Sequence, residues 1–336
     1  MIKIENYFTK ICQNRVSELR KQLSKKGRFK MKKLIFIFPI LSGIMWGSTG
    51  IFVRGLSDLG LNNNTIISSR ILLAVLILGI GILLYDKSLL KIKIKDLWMF
   101  IVGGVIGMFG MSFCYNEAIS EVTLSLAAVL LSTSPAFVLV FAAVIFKEKI
   151  TIKKIVCMVM ALTGCIFASG VLEVGSGMKW SVYGIITGFA CAIFYATYSI
   201  ITKLAMEKGY DPLTITIYSL LSMLVVILPF TDWSAISSAV ATAPVNVSIF
   251  MVAHSLATAI LPYVFYTVSI KYIEAGKASI LASGEAIAAM IFGVLFYNEI
   301  PTALSLTGLA LTFAALTMLS LPEKQMSGNV NVEKVN

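Results

Sequence analysis

The sequence predicts an all-α integral membrane protein: ten transmembrane helices arranged as two inverted-topology repeats of five. Three observations carry this expectation. Ten apolar stretches, each long enough to cross a bilayer, are separated by short polar breaks. Lys and Arg crowd alternate connections between those stretches. Part of the chain also resembles another part when the sequence is slid along itself by 151 positions.

Composition fixes the solvent. Of the 336 residues, 58% are hydrophobic and 13% charged, with a mean hydropathy of +0.89; soluble domains carry about 25% charge. A bilayer core about 30 Å thick needs roughly 20 apolar residues per helix. Barrel strands would alternate apolar and polar residues over about ten positions, whereas LLAVLILGIGILL (72–84) is apolar all round.

Taken in order, span 1 (34–53) carries Gly43, Gly47 and Gly50 at spacings that admit a neighbouring helix closely, with Trp46 among them. Its apolar run is too long for a signal-peptide core, and Phe52-Val53-Arg54 is no small-residue cleavage site. Span 2 (64–84) includes Arg70 near its outer end, where the side chain is able to snorkel to the headgroups or meet an anion. Span 3 (97–117) repeats the glycine device with Gly103, Gly104, Gly107 and Gly110. Span 4 (122–145) holds Pro135, which favours a kink, and span 5 is 153–172. Span 6 (180–202) brings Tyr195 and Tyr198, and span 7 is 213–230. Span 8 (246–269) carries His254, Pro262, Tyr263 and Tyr266; span 9 (276–297) carries Glu285; span 10 is 302–321.

The basic residues set orientation. Lys87, Lys91, Lys93 and Lys95 lie between spans 2 and 3, Lys147, Lys149, Lys153 and Lys154 between 4 and 5, Lys203 and Lys208 after 6, and Lys271 and Lys277 around the 8–9 turn. The opposite connections hold little beyond Arg54 and Lys179. Both termini are therefore expected in the cytoplasm, with the protein in an inner or plasma membrane. The net charge of +11 comes mostly from residues 1–33, where eleven Lys and Arg face Glu5 and Glu18. This excess belongs to a tail, so no nucleic-acid partner is implied. The tail reads either as an arm for anionic lipid or, as we favour, as an extension upstream of a natural start at Met31-Lys32-Lys33-Leu34.

The repeat pairs 115–151 with 266–302 without a gap. Tyr115, Ile119, Ala127, Leu130, Ser132, Phe141, Glu148 and Thr151 match Tyr266, Ile270, Ala278, Leu281, Ser283, Phe292, Glu299 and Thr302. Five spans per half is an odd number, so the halves face opposite ways. The charges agree: Glu117 and Glu121 precede span 4, but Lys271 and Lys277 flank the turn before span 9. Inverted repeats of this kind build many secondary transporters, with substrate held near the midplane.

Trp46-Gly47, Arg70, LLSTSPAFVLVFAAVIFKEKIT (130–151) and KYIEAGKASILASGEAIAAMIFGVLFYNEIPT (271–302) together resemble the drug/metabolite transporter superfamily, in particular its EamA-type members. The resemblance covers roughly 34–321 and implies export or exchange of small metabolites. Relatives commonly read Glu-Pro where this chain has Glu285-Ala286, which leaves a kink in span 9 without its proline. The expected organisation is a basic extension (1–33), repeat 1 (34–172), repeat 2 (180–321) and a cytoplasmic tail (322–336).

Ionisable groups within hydrocarbon are costly and usually face a cavity. Glu285 lies about 13 Å into span 9 at 1.5 Å per residue, fit for proton coupling, for a substrate amine, or for a hydrogen-bonded helix contact. His254 sits at similar depth from the other side and reads first as a packing residue. The candidate cavity lining is Trp46, Tyr195, Tyr198, His254, Tyr263, Tyr266 and Glu285, with Arg70 as an anion-binding or structural residue. Glu148 and Glu299 oppose the helix dipole at span ends and read as anchors or gate elements; Glu148 is expected to pair with Lys147 or Lys149.

The five cysteines show no CxxC pairing and read as small apolar fillers; no metal or cofactor is expected. An enzyme would need clustered His, Asp or Glu, and no GxxxxGK[ST] loop is present for ATP-driven pumping. The reading favoured is a secondary transporter of a small metabolite, an amino acid or related amphipathic compound, working by alternating access. A scaffold or receptor without transport is the alternative. The partners are then a small-molecule substrate and the bilayer, and a homo-oligomer is compatible with the sequence.

Overall fold

The computed structural model describes residues 35–121, 130–168, 172, 181–297 and 302–321. The basic extension, most of the turn and first part of span 4, Lys179, Glu299 and the 322–336 tail lie outside them. Among the described residues the chain is helical with short connections. We label the helices α1 (Ile37–Ser57), α2 (Asn63–Tyr85), α3 (Ile94–Ala118), α4 (Ser134–Phe146), α5 (Ile152–Ala168), α6 (Val182–Glu207), α7 (Pro212–Phe230), α8 (Pro244–Tyr272), α9 (Ala275–Ala282 continuing as Glu285–Tyr297) and α10 (Ala303–Ser320). Among the described residues, α1, α2, α3, α6, α7 and α8 are long and apolar enough to cross a membrane. This is a multi-pass membrane protein.

Local chemistry sets the helix ends. The side chain of Asn62 accepts from the Thr65 N–H at 2.9 Å to start α2, and Ser181 accepts from Gly184 N–H at 3.2 Å to start α6. Asp211 caps α7 ahead of Pro212, whose missing N–H is harmless at the first helical position. At the end of α4, Lys147 adopts φ 55°, a left-handed conformation unusual for a side-chain-bearing residue. That reversal turns Glu148 into the bundle.

Packing comes in equivalent pairs. The contacts of α1 with α8 and α9 are matched by those of α6 with α3 and α4, while α2 meets α7, α4 meets α9 and α5 meets α10. The same pairings thus recur between the first and second halves of the described chain. Irregularities are paired too. A turn at Ser132-Thr133 precedes α4, and a turn at Ser283-Gly284 interrupts α9 at the positions 151 residues on. The latter break forms without the proline of relatives, so the kink does not depend on it. Likewise α3 widens to π-helical geometry over Val102–Gly110, and α8 does so over Leu256–Ile260, just ahead of Pro262. Widened turns of this kind are frequent at functional sites.

Glycine allows the closest approaches. A Cβ on Gly43 of α1 would collide with the Ala282 carbonyl at the α9 break, and one on Gly104 of α3 would collide with the Ser219 carbonyl of α7. The connection 232–245, expected as a loop, contains a further helix, Trp233–Thr242. Asp232 starts it, and the Ser234 hydroxyl and Ala235 N–H that donate to its carboxylate hold that group below the usual range.

Candidate functional site

Five of the aromatic residues singled out by sequence meet at one place. Trp46 of α1 packs edge-on against Tyr195 of α6 and Tyr263 of α8, at centroid separations of 6.1 and 5.3 Å, and tilts over Tyr266 at 5.6 Å. Tyr198 closes the group, edge-on to Tyr263 at 5.5 Å. The rings are held by polar contacts at their far ends. The Tyr266 hydroxyl shares a 2.7 Å hydrogen bond with Ser199, and that of Tyr198 a 3.1 Å bond with Thr267. In hydrocarbon an unpaired hydroxyl is costly, so these bonds fix the rings. All five side chains are buried and belong to one hydrophobic core that draws on both halves of the chain.

Glu285 opens the second half of α9, directly after the Ser283-Gly284 turn. Among the described residues no Lys, Arg or His pairs with it. The groups within its electrostatic reach are Tyr115, Cys165, Cys191, Tyr195 and Tyr263. Its backbone lies against Gly43 of α1, three residues before Trp46, which sets it on the α9 side of the aromatic cluster. Tyr115 escaped the sequence-based selection. The signal was present nonetheless: Tyr115 is the repeat partner of Tyr266, a residue that was selected.

Arg70 and His254 form a second group. Arg70 does not reach for the headgroups. It turns inward toward α8, with Nη1 3.4 Å from the Thr258 hydroxyl and Nε buried without a partner. The π-helical turn explains the inward course: Thr258 lies within it, and Ser255, just ahead of it, donates to the Arg70 carbonyl at 2.8 Å. His254 is buried with both ring nitrogens unbonded, and its ring stacks on Phe52 at 5.2 Å. Tyr263 is within electrostatic reach of both Arg70 and Glu285.

Glu148 lies apart from both groups. Its expected partners, Lys147 and Lys149, are displaced by a residue more distant in sequence, because the left-handed turn at Lys147 sends the carboxylate inward. It forms an ion pair with Lys203 of α6 and accepts from the Ala275 N–H of α9 at 3.3 Å. Nearby, Lys154 pairs with Glu274, and Lys208 and Tyr210 both donate to Asp96, at 2.6 and 2.8 Å. These contacts tie α3, α4, α5, α6 and α9 together at the end rich in Lys. Glu299 falls outside the described residues. No group of three or more His, Cys, Asp or Glu side chains is placed to hold a metal ion among the described residues.

Comparison with known proteins gives consistent names. The model of the EamA-like transporter family matches residues 33–170 and again 182–321. An uncharacterized transporter of Haemophilus influenzae is 23% identical over 60% of this chain, a match spanning 65% of that protein's length. A probable terminal-alkyne amino-acid exporter of Streptantibioticus cattleyicolor is 24% identical over 87% of this chain and 94% of its own. The uncharacterized transporter YxxF of Bacillus subtilis is 21% identical over 90% of this chain and 94% of its own. A solved crystal structure superposes with a TM-score of 0.69 over 86% of this chain and 96% of that chain, at 16% identity, which shows a shared fold alone. These names describe transporters rather than an enzyme, and with both halves matched by the family model, the chain belongs to the EamA-like transporter family.

Proposed function

We propose that this chain is a secondary transporter of a small amphipathic metabolite of the amino-acid type, with ten spans in two inverted repeats and both termini cytoplasmic. The observation that carries this reading is Glu285, a carboxylate with no cationic partner among the described residues, at a helix break beside five clustered aromatic rings. A substrate amine would find its counter-charge there and an apolar side chain would find the rings. Alternatively, the carboxylate carries a coupling proton, the usual work of acidic groups at such depth in transporters. The amino-acid class is also supported by the Streptantibioticus relative, a probable terminal-alkyne amino-acid exporter. Broken helices bordering the site suit alternating access.

The test is uptake into liposomes of a pooled, labelled metabolite set, with and without an imposed pH gradient. Saturable uptake is expected from some pool members. If the carboxylate carries the coupling proton, Glu285→Gln abolishes the response to the gradient while leaving exchange in place; if it meets the substrate amine, exchange falls as well. Gradient-driven flux unchanged in that variant would remove the coupling role, and absence of uptake from every pool would count against transport.

A further inference from the structure

We propose that Arg70, Thr258 and His254 form a carboxylate-binding subsite between α2 and α8, so that the substrate is a zwitterion whose acid end sits there and whose amine end faces Glu285. The inference deepens the transporter reading and rests on it. It starts from unmet bonding capacity. Among the described residues no carboxylate pairs with Arg70. Among the described residues its side chain makes one hydrogen bond, the long contact to Thr258, and its Nε is buried with no acceptor. A guanidinium presents five N–H donors in a rigid fork matched to a carboxylate, so most of that fork is unused.

His254 is 1% exposed, and neither ring nitrogen has a partner. Buried polar side chains almost always find partners, and an orphan calls for an explanation. Here two orphans are neighbours. Arg70 and His254 interact electrostatically, and both reach Thr258: Arg70 through the hydroxyl, and His254 through its carbonyl, which accepts from that hydroxyl at 2.8 Å. A carboxylate placed at this point would receive donors from Arg70 and from one His254 N–H, while Thr258, whose hydroxyl hydrogen already goes to the His254 carbonyl, accepts from Arg70 and holds it in place.

The surroundings select the ligand. Ser255 and Thr258 flank and occupy the π-helical part of α8, and Phe52 stacks on the His254 ring. Tyr263 is within electrostatic reach of Arg70 and of Glu285. A ligand with opposite charges would answer both ionisable groups, and its apolar part would find the rings around Trp46. An amine alone would leave Arg70 unmatched, and a simple acid would leave Glu285 unmatched.

The experiment uses the full-length protein in detergent and reads thermal stabilisation by four probe sets: the twenty amino acids in pools, the corresponding decarboxylated amines, the corresponding deaminated acids, and inorganic phosphate or chloride. Wild type is expected to respond most to one amino-acid pool. Arg70→Gln is expected to weaken the response to amino acids and acids by roughly tenfold or more in concentration, the scale of one lost charge-assisted hydrogen bond, while leaving the response to amines. Glu285→Gln is expected to do the reverse. Thr258→Val, a milder change, is expected to weaken acids several-fold and serves if Arg70→Gln fails to fold. An unaltered response to acids in both the Arg70 and Thr258 variants would overturn the proposal. So would an Arg70-dependent shift with phosphate or chloride equal to that with acids, which would mark an inorganic anion site. Stabilisation of wild type by no carboxylate-bearing pool would overturn it too, and saturable uptake of other pool members would then leave transport itself standing.

Discussion

Breaking the Glu148–Lys203 pair is expected to loosen the Lys-rich end of the bundle by about 3 kcal/mol. Both partners are withdrawn from water, the Glu148 side chain 7% exposed and that of Lys203 17%. Unit charges about 4 Å apart attract by ~4 kcal/mol at an effective dielectric of about 20, and desolvation offsets part of that. Removing one partner of a buried pair commonly costs about 3–5 kcal/mol, because the other charge is left uncompensated. The lower end applies here. Lys203 keeps its position over the Phe146 ring, 4.6 Å from the centroid, and a Gln at position 148 still offers the Ala275 N–H an acceptor. Glu148→Gln and Lys203→Met are therefore expected to destabilise by about 3 kcal/mol each. The double variant should fall short of their sum by about 2 kcal/mol, within the range measured for directly contacting pairs. Equilibrium unfolding of the purified protein in mixed micelles, followed by tryptophan fluorescence, reads all four corners of the cycle. Additivity within about 0.5 kcal/mol would refute the claim that these charges act as a unit to hold α4, α6 and α9.

Two further outcomes are expected. Gly43→Val forces side-chain atoms into the Ala282 carbonyl and should lower both stability, by about 1–3 kcal/mol, and uptake. Gly50→Ala, with open space around an added Cβ, is its matched control, and equal behaviour of the two would show that α1 need not touch the α9 break. A cysteine at Ser238, on the exposed side of the helix Trp233–Thr242, in a background lacking the native cysteines, should react with an impermeant maleimide in intact cells. Reaction only after lysis would reverse the orientation.

Six of the expected spans are long apolar helices among the described residues, and they were legible because lipid allows a chain few choices: backbone groups must bond within the segment, so a long apolar run reads as helix. The repeat was legible because Tyr115 to Thr151 and Tyr266 to Thr302 keep register without a gap. The gathering of Trp46 with the four tyrosines could be anticipated only as a set of candidates. Which rings touch is decided by how α1 crosses α6 and α8, a matter of tertiary packing. The inward course of Arg70 was hidden for a similar reason, since its partner Thr258 lies 188 residues away. Glu148 shows the limit most plainly. Neighbours in sequence carried the right charge, but a single left-handed residue at Lys147 turned the carboxylate away from the solvent-facing lysines. The break in α9 was hidden because its usual proline marker is absent, and its repeat partner in the first half gave the better indication.

The paired π-helical segments of α3 and α8 have a consequence for how one chain of two related halves distinguishes the ends of a small molecule. At the 151-residue spacing, Gly103, Gly104 and Gly107 of the first half stand opposite His254, Ser255 and Thr258 of the second, and Ser134 stands opposite Glu285. Perfectly matched halves would offer a ligand the same wall twice and could not tell its head from its tail. Where the halves have drifted apart, from a bare backbone to an imidazole or from a hydroxyl to a carboxylate, the molecule acquires a direction. The differences between duplicates, more than their likeness, are then the place to look for what each relative of this fold has learned to carry.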